Sequence, residues 1–109
     1  MLELSVDQKG TATITLNRPE VHNAFDDTLI AELKETLQTT GADQAIRIVV
    51  LAANGKSFSA GADLNWMRRM GDVSEADNVA DAMRLAELLE TLEHMPKPTV
   101  AIVHGATYG

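Results

Sequence analysis

Apolar and polar residues alternate twice near the amino terminus. Leu2, Leu4 and Val6 are set against Glu3, Ser5 and Asp7, then Ala12, Ile14 and Leu16 against Thr11, Thr13 and Thr15. A period of two puts alternate side chains on one face of an extended chain, so the two runs, joined through Gln8-Lys9-Gly10, predict a β-hairpin. Asn17-Arg18-Pro19-Glu20 ends the alternation, because Pro19 has no N–H for a ladder and drives Arg18 towards extended geometry. A loop is expected through Val21-His22-Asn23-Ala24. The period then becomes helical: Leu29, Ile30, Leu33 and Leu37 share a face, Asp26 or Asp27 can supply the N-cap, and Gly41 is placed to stop the helix.

Ile46 to Ala53 is apolar apart from Arg47 and rich in β-branched residues, which predicts a strand buried on both faces and bounded by Asn54-Gly55. Leu64 to Met70 predicts a short helix, capped by Asp63 and ended by Gly71. Ser74-Glu75-Ala76-Asp77 fits a capping box for a longer helix reaching about His94, with Val79, Met83, Ala86, Leu89 and Leu92 along one stripe. Pro96-Lys97-Pro98 stops that helix, and Thr99 to Val103 predicts a last strand. The order β-β-α-β-α-α-β implies α/β layering with parallel pairing, with residues 1–109 expected to be the amino-terminal part of a single domain, cut before the helix that should cover its last strand. The strand edge after Val103 is expected to leave apolar surface uncovered.

The chain has 109 residues, 45% of them hydrophobic and 23% charged, as in one soluble globular unit. A formal net charge of −7 argues against a sequence-independent grip on nucleic acid or an anionic membrane, although Lys56, Arg68 or Arg69 could meet a phosphate locally. The absence of cysteine excludes disulfides, thiolate catalysis and thiolate metal sites. His22, His94 and His104 are too dispersed for a metal site. The first ten residues lack a basic region followed by an apolar run, and no segment approaches membrane-spanning length, so the expected compartment is the cytoplasm.

The candidate chemistry lies in Ser57-Phe58-Ser59-Ala60-Gly61-Ala62-Asp63-Leu64, where small residues join the end of a predicted strand to the start of a predicted helix. Gly61 can adopt φ > 0, and its alanine neighbours let a ligand approach the backbone. The N–H of Ala62 would lie beside a helix N-terminus, where unpaired amides and the macrodipole favour negative charge. Such a donor forms half of an oxyanion hole. Two other patterns compete for the stretch. Gly55-Lys56-Ser57 matches the tail of a phosphate-binding loop, but that loop needs glycine where Val50 stands. Ser59 lies close to a nucleophile-elbow pattern, with Asp72, Asp77 or Asp81 and then His94 or His104 in hydrolase order, but Ser57 occupies the place of the elbow's first glycine. Asp63 reads as an N-cap before it reads as a catalytic acid. Trp66, Met67 and Met70 are either core or the lining of an acyl pocket.

Three segments in order resemble the enoyl-CoA hydratase/isomerase, or crotonase, superfamily. Asn17-Arg18-Pro19-Glu20-Val21-His22-Asn23-Ala24-Phe25 is similar to its N-R-P-x-x-x-N-A segment, and Phe58-Ser59-Ala60-Gly61-Ala62-Asp63-Leu64 to its F-x-A-G-x-D segment. Lys97-Pro98 through Gly105-Ala106-Thr107-Tyr108-Gly109 is similar to its K-P-x-x-A-x-x-x-G segment, with Thr107 where alanine is more usual. The resemblance implies a spiral of β-β-α units, truncated after the fourth predicted strand, in trimers or dimers of trimers that bind acyl-coenzyme A and stabilise a thioester enolate. It implies Ala62 N–H as the first oxyanion donor. Coenzyme A contacts are implied at Val21, His22 and Ala24 and at Ala60, Gly61, Ala62, Asp63 and Leu64, with no metal and no cofactor beyond the coenzyme A of the substrate.

The implied activity is water addition to an α,β-unsaturated acyl-CoA; alternatives are an isomerase of the same superfamily and a non-catalytic coenzyme A-binding module. Asn65-Trp66-Met67 looks most like hydratases for branched or carboxylated acyl groups, such as methylglutaconyl-CoA in leucine breakdown. The family's second donor and its two catalytic glutamates belong to positions after Gly109. Their absence implies that the 109 residues alone turn over slowly, since acid–base catalysis is worth about 10²–10⁴ and one donor about 10²–10³.

Overall fold

The computed structural model describes residues 1–72 and 74–108. Strands β1 (Leu2–Val6) and β2 (Thr11–Leu16) form the expected hairpin, antiparallel with Leu2 opposite Leu16 and Val6 opposite Ala12. Its turn is closed by Asp7, whose Oδ1 accepts from Lys9 N and Thr11 N at 2.9 Å each, and by Gly10 at φ 87°. Strand β3 (Ile48–Ala53) lies parallel to β2, and β4 (Thr99–Ala101) parallel to β3, giving the order β1-β2-β3-β4. The helices are α1 (Asp27–Ala42), α2 (Leu64–Asp72) and α3 (Glu75–Glu93). The parallel connections carry α1 between β2 and β3 and the α2-α3 pair between β3 and β4, as α/β layering requires.

One face of β2 builds the core. Ala12, Ile14 and Leu16 are fully buried against Leu29, Ile30, Leu33 and Leu37 of α1, together with Val49, Trp66 and Leu88. The alternation in β2 and the helical period in α1 specify these two faces independently of each other. Removing them from water is the main stabilising term, at about 25 cal/mol per Å2 of apolar surface. Lys34 on α1 reaches Glu87 on α3 at 2.7 Å, and Lys97 Nζ donates to the last-turn carbonyls Thr40 and Asp43 at the end of α1.

Several expectations are corrected. Gly41 does not stop α1, which continues to Ala42 with Asp43 as C-cap; a Cβ on Gly41 would make ordinary van der Waals contact with Met95 and Pro96 at 3.4 Å, so the packing of the chain after α3 does not require glycine there. Gly71 lies inside α2, which runs to Asp72. Strand β3 begins at Ile48 rather than Ile46 and is half-buried except at Val49, so it is not buried on both faces. Strand β4 ends at Ala101 and is exposed, and Val100, Ile102 and Val103 present the uncovered apolar edge expected there. The buried side of α3 is formed by Leu85, Leu88 and Leu92, whereas Val79, Met83 and Leu89 are exposed. The reason is that α3 carries apolar residues on two faces, and only the one against α1 is covered.

Candidate functional site

The loop after β2 folds around the side chain of Asn23. Pro19–Val21 forms one 3-10 turn, after which His22 and Asn23 both take left-handed backbone at φ 52° and 55°. Asparagine tolerates that region better than most residues. Asn23 is fully buried: its Oδ1 accepts from Arg18 N at 2.7 Å, and its Nδ2 donates to Asn54 O at 2.7 Å and Ser57 O at 3.0 Å. One amide therefore ties the loop after β2 to the loop after β3.

The second loop is held from both sides. Ala60 N donates to His22 O, Phe25 N to Gly61 O at 2.7 Å, and Asp63 N to Phe25 O at 2.6 Å, which pairs Phe25 and Ala62 in an isolated parallel bridge. From the other side Phe58 N donates to His104 O and Ala106 O, and Tyr108 N to Ser59 O. Gly105, at φ 60°, permits this approach, because a Cβ there would lie within 2.1 Å of Lys56 O. The three segments singled out in the sequence thus meet in one place.

This pinning fixes the direction of one N–H. Among the described residues the peptide bonds are trans, so the N–H and C=O of a peptide plane point in opposite directions. Gly61 C=O is directed at Phe25 N; the Ala62 N–H, on the same plane, is therefore directed away from the Phe25 segment. Among the described residues it meets no acceptor. Ala62 is exposed and Gly61 takes φ 86°, as the stretch of small residues anticipated.

The remaining candidates divide by exposure. His22, Ala60 and Leu64 are exposed and Val21 is half-buried, whereas Ala24 and Asp63 are buried. Asp63 is the N-cap of α2, its Oδ1 accepting from Trp66 N at 3.0 Å. That bond, helped by the Asn65 N–H and the Arg18 guanidinium, outweighs burial and lowers the pKa of the carboxyl below the ordinary aspartate value. Asp63 is therefore a carboxylate near neutral pH, with no proton to deliver. Trp66 and Met70 belong to the core or pack against it, and Met67 is exposed.

The geometry dismisses the hydrolase arrangement. Ser59 is buried; its hydroxyl donates to Asn23 O at 3.2 Å and accepts from Gly61 N at 3.1 Å. The histidine rings lie elsewhere, His22 Nδ1 at 3.2 Å from Ser57 Oγ, His94 on Glu90 O and His104 on Gly55 O. Among the described residues no group of three metal-ligating side chains occurs, and no helix is long and apolar enough to cross a membrane. Sequence reasoning passed over Asn23, Ser59 and Arg18 as organisers of the site. The available signal was the pair of aspartate caps, Asp26 and Asp63, with a cation, Arg18, in the loop leading to the first.

Residues 7–109 match the family model described as enoyl-CoA hydratase/isomerase. The chain is 40% identical over 104 residues to the trans-2-decenoyl-[acyl-carrier-protein] isomerase of Streptococcus mutans, covering 92% of this chain and 38% of that protein. It is 36% identical over 108 residues to the 1,2-epoxyphenylacetyl-CoA isomerase of Escherichia coli, covering 97% and 41%. Its fold superposes with TM-score 0.95 on the crystal structure of an enoyl-CoA hydratase from Shewanella pealeana, at 42% identity, over 99% of this chain and 40% of that one. The chain thus spans about two fifths of the length of these relatives. With the first and third motifs bonded to the loop that carries the second, and with the family model covering nearly all of it, the chain belongs to the enoyl-CoA hydratase/isomerase family of the crotonase superfamily.

Proposed function

We propose that this segment supplies the first oxyanion donor of an enzyme that adds water to an α,β-unsaturated acyl-CoA through a thioester enolate. The observation that carries the reading is the Ala62 N–H, which is fixed in direction, lacks an acceptor among the described residues and lies one residue before the α2 N-cap. Addition of the water oxygen at Cβ moves the double-bond electrons to Cα and onto the thioester oxygen, and a proton then joins Cα. A hydrogen bond from Ala62 to that oxygen is stronger in the enolate than in the ground state, and such a donor is worth about 2.7–4 kcal/mol. Both nearby carboxylates, Asp26 and Asp63, are engaged by helix caps and Arg18. The acid and base would therefore come from outside this segment.

The same reading assigns coenzyme A contacts to Val21, His22 and Ala24 and to residues 60–64, through backbone atoms where Ala24 and Asp63 are buried. Asn65 and Met67, exposed on the first turns of α2, would touch a branched or carboxylated acyl group, whereas Trp66 is committed to the core. Assembly as trimers or dimers of trimers in the cytoplasm, with no cofactor besides the substrate's coenzyme A, belongs to the same proposal. An isomerase would use the same enolate but move a proton without adding water, and the relatives named above include isomerases.

The test is a 15N-alanine spectrum titrated with acetoacetyl-CoA. The Ala62 amide proton is expected to move downfield at saturation; movement of other alanines with Ala62 unchanged would refute the donor assignment. Incubation of the protein with crotonyl-CoA in 18O-water separates the reactions, because only a hydratase places the label at C3.

A further inference from the structure

A single guanidinium spans the two helix starts that flank the Ala62 amide. Arg18 Nη1 donates to Ala24 O at 2.6 Å and lies 3.4 Å from Asp26 Oδ2, while Nη2 lies 3.4 Å from Asp63 Oδ2. Each aspartate uses its other oxygen as an N-cap, Asp26 for Leu29 N at 2.8 Å and Asp63 for Trp66 N at 3.0 Å. The three side chains are about nine-tenths buried, at 12%, 13% and 9% exposed. Ala24 directly precedes Phe25, whose N–H and C=O fix the peptides on either side of Ala62. The planar fork of arginine can hold these three acceptors in fixed relative positions, which an ammonium group cannot.

We infer that Arg18 is a positioning residue for the Ala62 donor: by tying Ala24 and the caps of α1 and α2 into one rigid unit, it sets where the Ala62 N–H points. This inference rests on the oxyanion reading of Ala62. Without the guanidinium, the two carboxylates face each other unscreened and the Phe25–Ala62 bridge loses its brace, so the amide swings from its line. Misplacement of about 1 Å at a reacting centre costs on the order of 10²-fold in rate. Binding of the coenzyme A portion, spread over residues 21–24 and 60–64, is weakened less than the polarisation of the thioester.

The experiment uses cinnamoyl-CoA, a conjugated thioester whose absorption moves to longer wavelength when its carbonyl is polarised by a hydrogen bond. Bound to the parent protein it is expected to show this red shift. Arg18→Met and Arg18→Lys, each read at saturating probe so that a change in affinity does not enter, are expected to lose most of the shift. If Arg18→Met fails to fold, the triple variant Arg18→Met with Asp26→Asn and Asp63→Asn carries the test, because asparagine keeps both caps while removing the unpaired charges. Any folded variant lacking the guanidinium that retains the shift overturns the inference. A parent protein that binds the probe without a shift overturns the oxyanion reading itself, and the positioning role with it.

Discussion

Replacing Asn23 by alanine tests the organisation of the site most directly, because three partners depend on one buried amide. The substitution removes bonds of 2.7, 2.7 and 3.0 Å to Arg18 N, Asn54 O and Ser57 O. The bond to Ser57 O is fully buried, and a buried group left unpaired costs about 1–3 kcal/mol. The other two are partly buried, where water can replace the partner, and contribute about 0.5–1.5 kcal/mol each. Alanine at φ 55° adds about 1 kcal/mol of backbone cost. The sum is about 3–7 kcal/mol, a large part of the 5–15 kcal/mol typical of a folded domain. Urea unfolding is expected to show a lower midpoint with an unchanged slope. Asn23→Asp is expected to be no better, despite its equal size, because it turns an oxygen towards two carbonyls that need a donor. An Asn23→Ala midpoint equivalent to a loss of less than about 1 kcal/mol, or an Asn23→Asp protein as stable as the parent, would refute the reasoning.

Three further outcomes follow from the same structure. Gly105→Ala places a Cβ against Lys56 O and should detach residues 104–108 from the loop after β3, read as faster hydrogen exchange at the Phe58 amide. The lowered pKa of Asp63 means that the folded state binds its proton less tightly than the unfolded chain does. Its contribution is therefore fully present above the ordinary aspartate pKa of about 3.9 and is lost as pH falls through the lower folded value, so Asp63→Asn should flatten the acid limb of the stability curve. Leu88→Ala, in the core, should cost about 2–5 kcal/mol, whereas Leu89→Ala, one residue on and exposed, should stay within about 0.5 kcal/mol; equal losses in thermal unfolding would contradict the observed face of α3.

Several features that rest on residues close along the chain were legible in its pattern alone. The hairpin follows from alternation in 2–6 and 11–16, and α1 from the period of Leu29, Ile30, Leu33 and Leu37. The caps Asp26, Asp63 and Ser74 each accept from an N–H three residues on, a distance fixed by the helix itself. The motifs singled out residues that the fold brings together, with Gly61 at positive φ beside Ala62.

Tertiary structure decided what depends on distant partners. The apolar residues of α3 offered two faces, and the position of α1 selected Leu85, Leu88 and Leu92 over Val79, Met83 and Leu89. Glycine permits a helix to end without requiring it, so α1 continued through Gly41 to Ala42. Asn23 and Arg18 became organisers only when the chain brought Ser57 and Asp63, 34 and 45 residues away, within hydrogen-bonding reach. The direction of the Ala62 N–H has the same origin. Its peptide plane is set by Phe25, a residue no local pattern could assign to it, and folding turns that plane so that a backbone donor carried by every residue except proline is left available at this one.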